Sequence, residues 1–223
     1  MPLAIGPESV QSLQSFVPGP NAAAQAHLAT LVWPTAPVYL WGEIGTGKTH
    51  LLRAVAHRCR TAGQQAGWFD AVDAAPWTLS PAWAVVLIDR CEMLGEAAQA
   101  AAFSLFVEAQ SAGVQIVAAG RLPPVDLPVR EDLRTRLGWG HVFALKALGE
   151  AETRAALRRE ADYRGIFIPD EVMSYLLTRF PRDMTHLMKL LDKLDGYSLA
   201  HSRPITVPLV RQLCSEPDLE GTT

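Results

Sequence analysis

The residues with the clearest chemistry in this sequence form a glycine-rich octapeptide with the pattern G-x-x-x-x-G-K-[ST], which is typical of a phosphate-binding loop. Its members are Gly42, Glu43, Ile44, Gly45, Thr46, Gly47, Lys48 and Thr49. Glycines let consecutive backbone N–H groups point into one concavity that suits phosphate oxygens. Lys48 would reach the β- and γ-phosphates, and the Thr49 hydroxyl would ligate Mg²⁺. The octapeptide predicts a site for a nucleoside di- or triphosphate.

The segments on either side of this loop favour a genuine site. Residues 38–41 (VYLW) are typical of a buried strand, and apolar residues recur at helical spacing from Leu51 to Cys59. A helix that begins near Thr49 would add the positive end of its dipole. The alternative is a glycine-rich surface turn with an incidental Lys-Thr pair, and the strand–loop–helix setting makes it the weaker interpretation.

A candidate magnesium-binding acid follows a second buried strand. Asp89 ends the apolar run WAVVLID, and such runs are typical of parallel strands that are covered on both faces. Phosphate-loop proteins hold their Mg²⁺ with an acid at such a strand end, so we predict a metal site at Thr49 and Asp89. A lone Asp in this position is usually a turn residue, but the intact loop favours the functional role.

The position directly after Asp89 lacks the acid that orients the attacking water in hydrolysing enzymes of this architecture. Arg90 stands there, and Glu92 lies two residues further along. Glu92 could substitute only if the strand end bends favourably. We therefore list Asp89 and Glu92 as catalytic candidates and expect slow intrinsic turnover, well below the ~1 s⁻¹ of an ordinary enzyme.

A third feature is the arginine-containing segment LRTRLGWG at residues 133–140. An arginine on a loop at a subunit edge can stabilise the charge that develops on a transferring γ-phosphoryl group, and in trans this is worth roughly 10³–10⁵ in rate. The alternative is that Arg134 and Arg136 form surface salt bridges with Glu131 and Asp132. Taken alone, the segment would favour that alternative.

The wider pattern predicts an α/β fold followed by helices. Strands are predicted at 38–41, 66–72, 83–89, 114–118 and 141–145, alternating with helices, and this order indicates a parallel sheet that is covered on both faces. An Ala-rich helix at 21–32, with Asn21 as its N-cap, precedes them. From Gly149 onward only helices are predicted, at 151–164, 170–178 and 184–199.

The bulk composition excludes several classes of protein. The net charge is −3 over 223 residues, so there is no basic footprint for nucleic acid. The three cysteines, Cys59, Cys91 and Cys214, lack metal or redox spacing. No signal-peptide pattern or run of 18 apolar residues occurs. We expect a cytoplasmic protein without a membrane partner.

Five motifs together resemble those of AAA+ ATPases of the DnaA branch, and most closely the family of DnaA regulatory inactivators called Hda. The motifs are FVPGPN at 16–21, WGEIGTGKTHLL at 41–52, VVLID at 85–89, REDLRTRLGWG at 130–140 and RDMTHLMKLLDKLD at 182–195. The resemblance implies an AAA+ P-loop NTPase with a parallel five-stranded sheet and a small C-terminal all-helical lid domain. It implies a flexible arm at 1–15, a nucleotide-binding domain at 16–149 and the lid at 150–223.

The same resemblance assigns roles to further residues. Phe16, Val17 and Asn21 would line the adenine side of the pocket, and His50 would join the nucleotide-contacting residues. Arg136 would be the arginine finger. Arg182 could reach the phosphates from the lid, where sensor 2 is expected, although a solvated lid arginine is an equal alternative.

The family's task is to stimulate ATP hydrolysis on the initiator DnaA beside a DNA-loaded sliding clamp. The resemblance implies ADP or ATP with Mg²⁺ as cofactors and leaves self-association into a homo-oligomer open. The clamp contact would involve Leu3, Ala4 and Ile5, although the glutamine that opens the family's clamp-binding motif is missing. The DNA-reading helix-turn-helix of DnaA is also missing, so we expect no sequence-specific DNA binding by this chain alone.

Other departures from the family pattern concern hydrolysis. Ala118, Ala119 and Gly120 offer no polar sensor-1 side chain, and Arg121 follows them. These losses weaken the chain's own catalysis but leave Arg136 intact. Two alternative functions stay open: a nucleotide-dependent adaptor or loader that recruits replication proteins without stimulating hydrolysis, and a metabolic phosphotransferase, for which no acceptor-substrate residues are found.

Overall fold

The computed structural model describes residues 11–180, 183–201 and 204–215. These residues divide into two compact units, one up to Ala147 and the other from Leu148 onward. The first unit carries the sheet and the second contains helices alone among its described residues.

The sheet of the first unit has five parallel strands in the order β2-β3-β4-β1-β5. They are β1 (Val38–Trp41), β2 (Gln65–Phe69), β3 (Trp83–Ile88), β4 (Gln115–Gly120) and β5 (His141–Ala144). The predicted parallel five-stranded sheet is confirmed. β2 ends three residues earlier than predicted, because the Asp70 N–H donates to Asp73 Oδ2 at 2.6 Å and the chain turns there.

Four α-helices accompany the sheet: α1 (Ala22–Thr30), α2 (Lys48–Thr61), α3 (Glu96–Ala112) and α4 (Glu131–Gly138). α2 follows the glycine-rich loop and ends before Gly63, whose φ of 72° is the left-handed conformation that suits a helix terminus. α4 covers most of the segment at residues 133–140, for which no helix was predicted. Arg136 therefore projects from the last turn of a helix.

The two faces of the sheet are packed against different helices. Along β3, Val86 and Ile88 join one apolar cluster with residues of α3 and α4. Val85 and Leu87 alternate with them and join the other cluster, with residues of α1 and α2. This two-sided burial explains why β3 is a continuous apolar run and not an alternating one.

The parallel arrangement collects loops of the same kind at each edge of the sheet. The loop after β1, the residue after β3 and the residue after β4 all lie at the carboxyl edge, where α/β sheets bind their ligands. The segments that precede β1, β4 and β5 lie at the amino edge. Sheet order therefore decides which of the candidate residues can meet.

The second unit contains α5 (Glu150–Tyr163), α6 (Asp170–Arg179), α7 (Met184–His201) and α8 (Val207–Ser215). They share one apolar cluster that includes Leu157, Val172, Leu191 and Val210. The predicted helical character is confirmed, and α8 was not predicted. No helix within the described ranges is long and apolar enough to cross a membrane.

Candidate functional site

The glycine-rich loop has a backbone that only glycine can supply at its key positions. The φ angles are 154° at Gly42, 80° at Gly45 and 94° at Gly47. A Cβ at Gly42 would lie 2.3 Å from the Leu145 carbonyl oxygen, and one at Gly47 would lie 2.7 Å from Cε2 of Phe16. The sequence pattern therefore reflects both conformation and close packing, and the loop keeps the open curl that can cradle an anion.

The Lys48 ammonium is held inside this curl by the loop itself. Its Nζ donates to the carbonyl oxygens of Gly42 at 2.6 Å and Glu43 at 2.8 Å. Burial lowers the pKa of Lys48, although the nearby carboxylates of Glu92, Asp89 and Glu43 favour its charged form. A half-buried cation of this kind is stabilised by an anion, and phosphate oxygens would provide one.

The candidate metal residues Thr49 and Asp89 are in direct contact. The Thr49 hydroxyl donates to Asp89 Oδ2 at 2.7 Å, and the Arg90 N–H donates to Asp89 Oδ1 at 2.9 Å. Hydroxyl and carboxylate oxygens are ligands that Mg²⁺ prefers, so the donor set fits that cation. Within the described residues no group of three His, Cys, Asp or Glu side chains could hold a metal. A magnesium ion here would take its other ligands from phosphate and water.

The buried Asp89 carboxylate should make stability depend on pH. Asp89 is 3% exposed, and burial raises its pKa above the ordinary 3.8 while the Thr49 and Arg90 hydrogen bonds oppose that shift. An acid whose pKa is raised on folding contributes most stability at low pH, and the contribution is lost as the pH rises from the ordinary toward the raised pKa. We expect Asp89→Asn to increase the free energy of unfolding of the nucleotide-free protein at neutral pH.

The increase in the free energy of unfolding caused by Asp89→Asn should become smaller as the pH approaches 3.8, the ordinary pKa of an aspartate side chain. Urea denaturation at neutral pH and near that value measures both effects. Asp126→Asn, which removes an exposed carboxylate from the same unit, is the matched control and should leave the curve unchanged. Loss of stability in Asp89→Asn at neutral pH would contradict the expectation.

The residues after Asp89 point in different directions. Arg90 has a left-handed φ of 54°, and its guanidinium forms an ion pair with Asp70 on the β2 side of the sheet. The Arg90 side chain therefore turns away from the loop, which lies on the other side of β3. Glu92 instead accepts a hydrogen bond from the Arg121 N–H at 2.9 Å and so ties the end of β3 to the end of β4.

The FVPGPN segment contacts the loop through Phe16. The Phe16 ring is buried against Gly47 and lies 5.4 Å from the His50 ring. His50 Nε2 lies 3.1 Å from the Ser12 carbonyl oxygen. Val17 is half-buried. Of the predicted adenine-side residues, Phe16 thus contacts the loop and Val17 follows it in the chain, while His50 connects α2 to the segment before them.

Asn21 serves a structural purpose beyond that of the predicted N-cap. Its side-chain amide donates to the Lys146 carbonyl oxygen and accepts from the Lys146 N–H, both at 2.8 Å. Asn21 is the N-cap residue of α1, as predicted, but its side chain makes no capping hydrogen bond. Asn21 instead pins the segment to the chain after β5.

Because Asn21 is only 2% exposed, its loss should be costly. Asn21→Ala would remove two hydrogen bonds to the Lys146 backbone, at about 0.5–1.5 kcal/mol each, and we expect the free energy of unfolding to fall by about 1–3 kcal/mol. Gln25→Ala, which removes one side-chain hydrogen bond to Leu13 in the same region, is the control and should have a smaller effect. Equal losses in urea denaturation would count against the structural role of Asn21.

Arg136 lies at the opposite edge of the sheet from the loop. Together with Trp139, it lines a cleft of about 280 Å³ beside Pro34, Pro37 and Val114, which precede β1 and β4. Its Nη1 donates to Gln110 Oε1 at 2.8 Å, and among the described residues it has no carboxylate partner. The ion pair that does form in this segment joins Arg130 to Asp132. Arg136 therefore cannot serve the loop of its own chain.

Two of the predicted sites lie outside the described residues. These are Arg182, the candidate lid arginine, and the candidate clamp-contacting residues Leu3, Ala4 and Ile5.

One residue near the loop was not among the predicted site residues. Arg121 forms an ion pair with Glu43 inside the loop, at 2.9 Å from Nη2 to Oε2. The signal that could have found it is its place directly after the fourth strand, at the edge where the loop lies. The sequence alone did not show which way its side chain turns.

Comparisons with known proteins match both parts of the chain. The model of the bacterial DnaA ATPase domain matches residues 9–67, and the model of the Hda lid domain matches residues 150–214. The crystal structure of domain III of Thermotoga maritima DnaA has a TM-score of 0.79 at 19% identity and covers 92% of this chain and 96% of that one.

Two further structures show the same fold at low identity. AMPPCP-bound DnaA from Aquifex aeolicus has a TM-score of 0.69 at 21% identity, with coverage of 87% of this chain and 69% of that one. A mutant of RuvB from Thermotoga maritima has a TM-score of 0.68 at 17% identity, with coverage of 91% and 70%.

Proposed function

Because the chain is a DnaA/Hda-like AAA+ protein, we propose that it regulates replication initiation by stimulating ATP hydrolysis on the initiator DnaA. In this proposal it acts together with the DNA-loaded sliding clamp and supplies Arg136 in trans. The observation that carries the proposal is the position of Arg136, at the sheet edge opposite its own phosphate loop.

The loop at residues 42–49 would hold ADP or ATP with Mg²⁺. The DnaA of Aquifex aeolicus is described with bound AMPPCP, and this chain has the same fold. Lys48 would pair with the terminal phosphates, while Thr49 and Asp89 would hold the magnesium ion. Phe16, Val17 and His50 would border the nucleotide on the FVPGPN side. The bound magnesium would neutralise phosphate charge when present.

The chemistry available to Arg136 is electrostatic. A guanidinium keeps its charge at any physiological pH and offers five donors that suit a phosphoryl group. The Gln110 partner of Arg136 is neutral, so little interaction energy is lost when the guanidinium moves to an anionic site on a neighbouring subunit. Such a contact would stabilise the charge of the partner's transition state.

The chain's own hydrolysis would be slow. Arg90 occupies the place of the water-orienting acid and is paired with Asp70. The Glu92 carboxylate already accepts a hydrogen bond from the Arg121 N–H, and Gly120 has no side chain that could contact the nucleotide. A regulator that supplies an arginine to a partner would use its own bound nucleotide to maintain its conformation. It would not need to hydrolyse that nucleotide.

The decisive experiment mixes this chain with DnaA that is preloaded with labelled ATP and with clamp on DNA, and follows conversion of the labelled ATP to ADP. We expect acceleration only when all three are present. If DnaA binds this chain but hydrolysis stays at its basal rate, the adaptor or loader function replaces the proposed one.

A further inference from the structure

The cleft that Arg136 lines at the amino edge of the sheet has an apolar floor. Its volume is about 280 Å³, and the buried residues Phe106, Ala109 and Ile116 are part of its lining. An apolar cavity of about 150 Å³ is large enough to hold benzene. The cleft therefore has room for one aromatic ring or a fused pair of rings, and a ligand of that size would bury apolar surface there.

The wall of this cleft that precedes β1 is held in place by a buried glutamine. Gln115 Oε1 accepts a hydrogen bond from the Thr35 N–H at 2.8 Å, and Gln115 Nε2 donates to the Ala36 carbonyl oxygen at 3.2 Å. The next carbonyl oxygen, that of Pro37, accepts from the His141 N–H at 2.8 Å. These bonds form the cleft without a ligand, and small-molecule sites are usually pre-formed in this way.

An exposed indole stands beside the cleft. Trp139 is 60% exposed, whereas the other five tryptophans of the chain are half-buried or buried. A Cβ at Gly140 would overlap the Pro37 carbonyl oxygen, so the chain directly after Trp139 lies against the wall of the cleft. The indole therefore offers a face on which a second ring can stack.

The polar end of the cleft is a cation with unused hydrogen-bond donors. A guanidinium has five N–H groups. The 2.8 Å bond to Gln110 Oε1 is the only hydrogen bond that the Arg136 side chain makes with the described residues. Gln110 is neutral, so the positive charge stays available. A guanidinium binds a carboxylate through two parallel hydrogen bonds, and that geometry would suit the free donors of Arg136.

We propose that this cleft is a binding site for a small organic carboxylate whose apolar body has one or two rings. The body fills the apolar part of the cleft beside Trp139, and the carboxylate pairs with Arg136. The occupant is a free small molecule, because the volume admits one ring system and little more. The consequence of binding rests on the proposed function: the ligand holds the guanidinium and so prevents its use in trans.

Ligand-detected NMR titration of the full chain tests the site, with indole-3-acetate as the probe and indole-3-acetamide as its neutral match. We expect the acetate to bind with a Kd of about 1 mM or tighter, and the acetamide about tenfold more weakly, because the charge-assisted pair is lost. Arg136→Gln should reduce the affinity for the acetate to that for the acetamide. Arg134→Gln, on the same helix, is the control and should keep the preference. Trp139→Ala should weaken both probes alike.

Three results would overturn the site. The first is equal affinity of the unchanged chain for the two probes, or binding of neither. The second is a preference for the acetate that survives Arg136→Gln, because the carboxylate would then bind elsewhere. The third is tighter binding of a blocked tryptophan–glutamate dipeptide than of the acetate, which would assign the cleft to a protein segment.

The same probes separate this site from the proposed function. In the assay with DnaA, clamp and DNA, the acetate should lower the stimulation with a half-effect near its Kd, and the acetamide at the same concentration should lower it much less. Basal hydrolysis by DnaA alone should not change. Unaltered stimulation at saturating acetate would overturn the inhibitory role. If the chain without a probe gives no stimulation, the proposed function fails, and the binding results still decide the site.

Discussion

Arg136→Ala is expected to reduce the stimulation of DnaA's ATP hydrolysis by roughly 10³–10⁵-fold, which is the range for an arginine supplied in trans. Arg136 is a half-buried residue at the amino edge of the sheet, and among the described residues its guanidinium is bound only to the neutral Gln110. Its loss should leave this chain's own nucleotide affinity unchanged, because the phosphate loop lies at the other edge. The measurement is the rate of labelled ATP conversion on DnaA with clamp and DNA present.

Arg134→Ala is the matched control for this prediction. Arg134 lies on the same short helix, and its replacement removes the same charge two residues away. It should retain most of the stimulation. Full stimulation by Arg136→Ala, measured alongside an unchanged affinity for DnaA, would show that the arginine finger lies elsewhere or that the mechanism is different.

Lys48→Ala is the second change with a large expected effect. Nucleotide affinity should fall by about 10- to 100-fold, because charge-assisted hydrogen bonds from one ammonium to the phosphates are lost. The rise in unfolding temperature that a saturating nucleotide gives should shrink correspondingly, since stabilisation depends on the ratio of ligand concentration to Kd. Fluorescent-nucleotide titration and thermal unfolding with and without nucleotide measure the two effects.

The nucleotide-free protein should tolerate this change well. Burial disfavours the charged form of Lys48, and its loop contacts are limited to two carbonyl oxygens. Arg60→Ala, on the exposed far end of the same helix, is the control and should leave both readouts unaltered. Unchanged nucleotide binding by Lys48→Ala would place the ligand outside the loop.

The phosphate loop could be predicted in detail because its chemistry is contiguous in the chain. Eight consecutive residues carry the glycines, the lysine and the threonine, and the left-handed φ angles at Gly45 and Gly47 are local properties. Asp89 could be predicted for a related reason. A parallel strand that is buried on both faces is an apolar run, and its end is visible where the first charge appears.

The partners of individual side chains could not be predicted in the same way. Asn21 bonds to Lys146, 125 positions away, and Arg121 meets Glu43 across 78 positions. No periodic pattern in the local sequence indicates contacts between residues so far apart in the chain. The helix α4 was missed because it has only eight residues and contains a glycine, and so falls below the length at which a periodic pattern is distinguishable from a loop.

The sequence by itself determined that this chain has a phosphate-binding loop on a parallel sheet, followed by a set of helices. Both features depend on local sequence, because glycine conformation and apolar periodicity are set by neighbouring residues in the chain. The strand order β2-β3-β4-β1-β5 decided the rest. That order sets Arg121 at the mouth of the loop and Arg136 at the opposite edge, because edges are formed by segments far apart in the chain and meet only when the sheet is assembled.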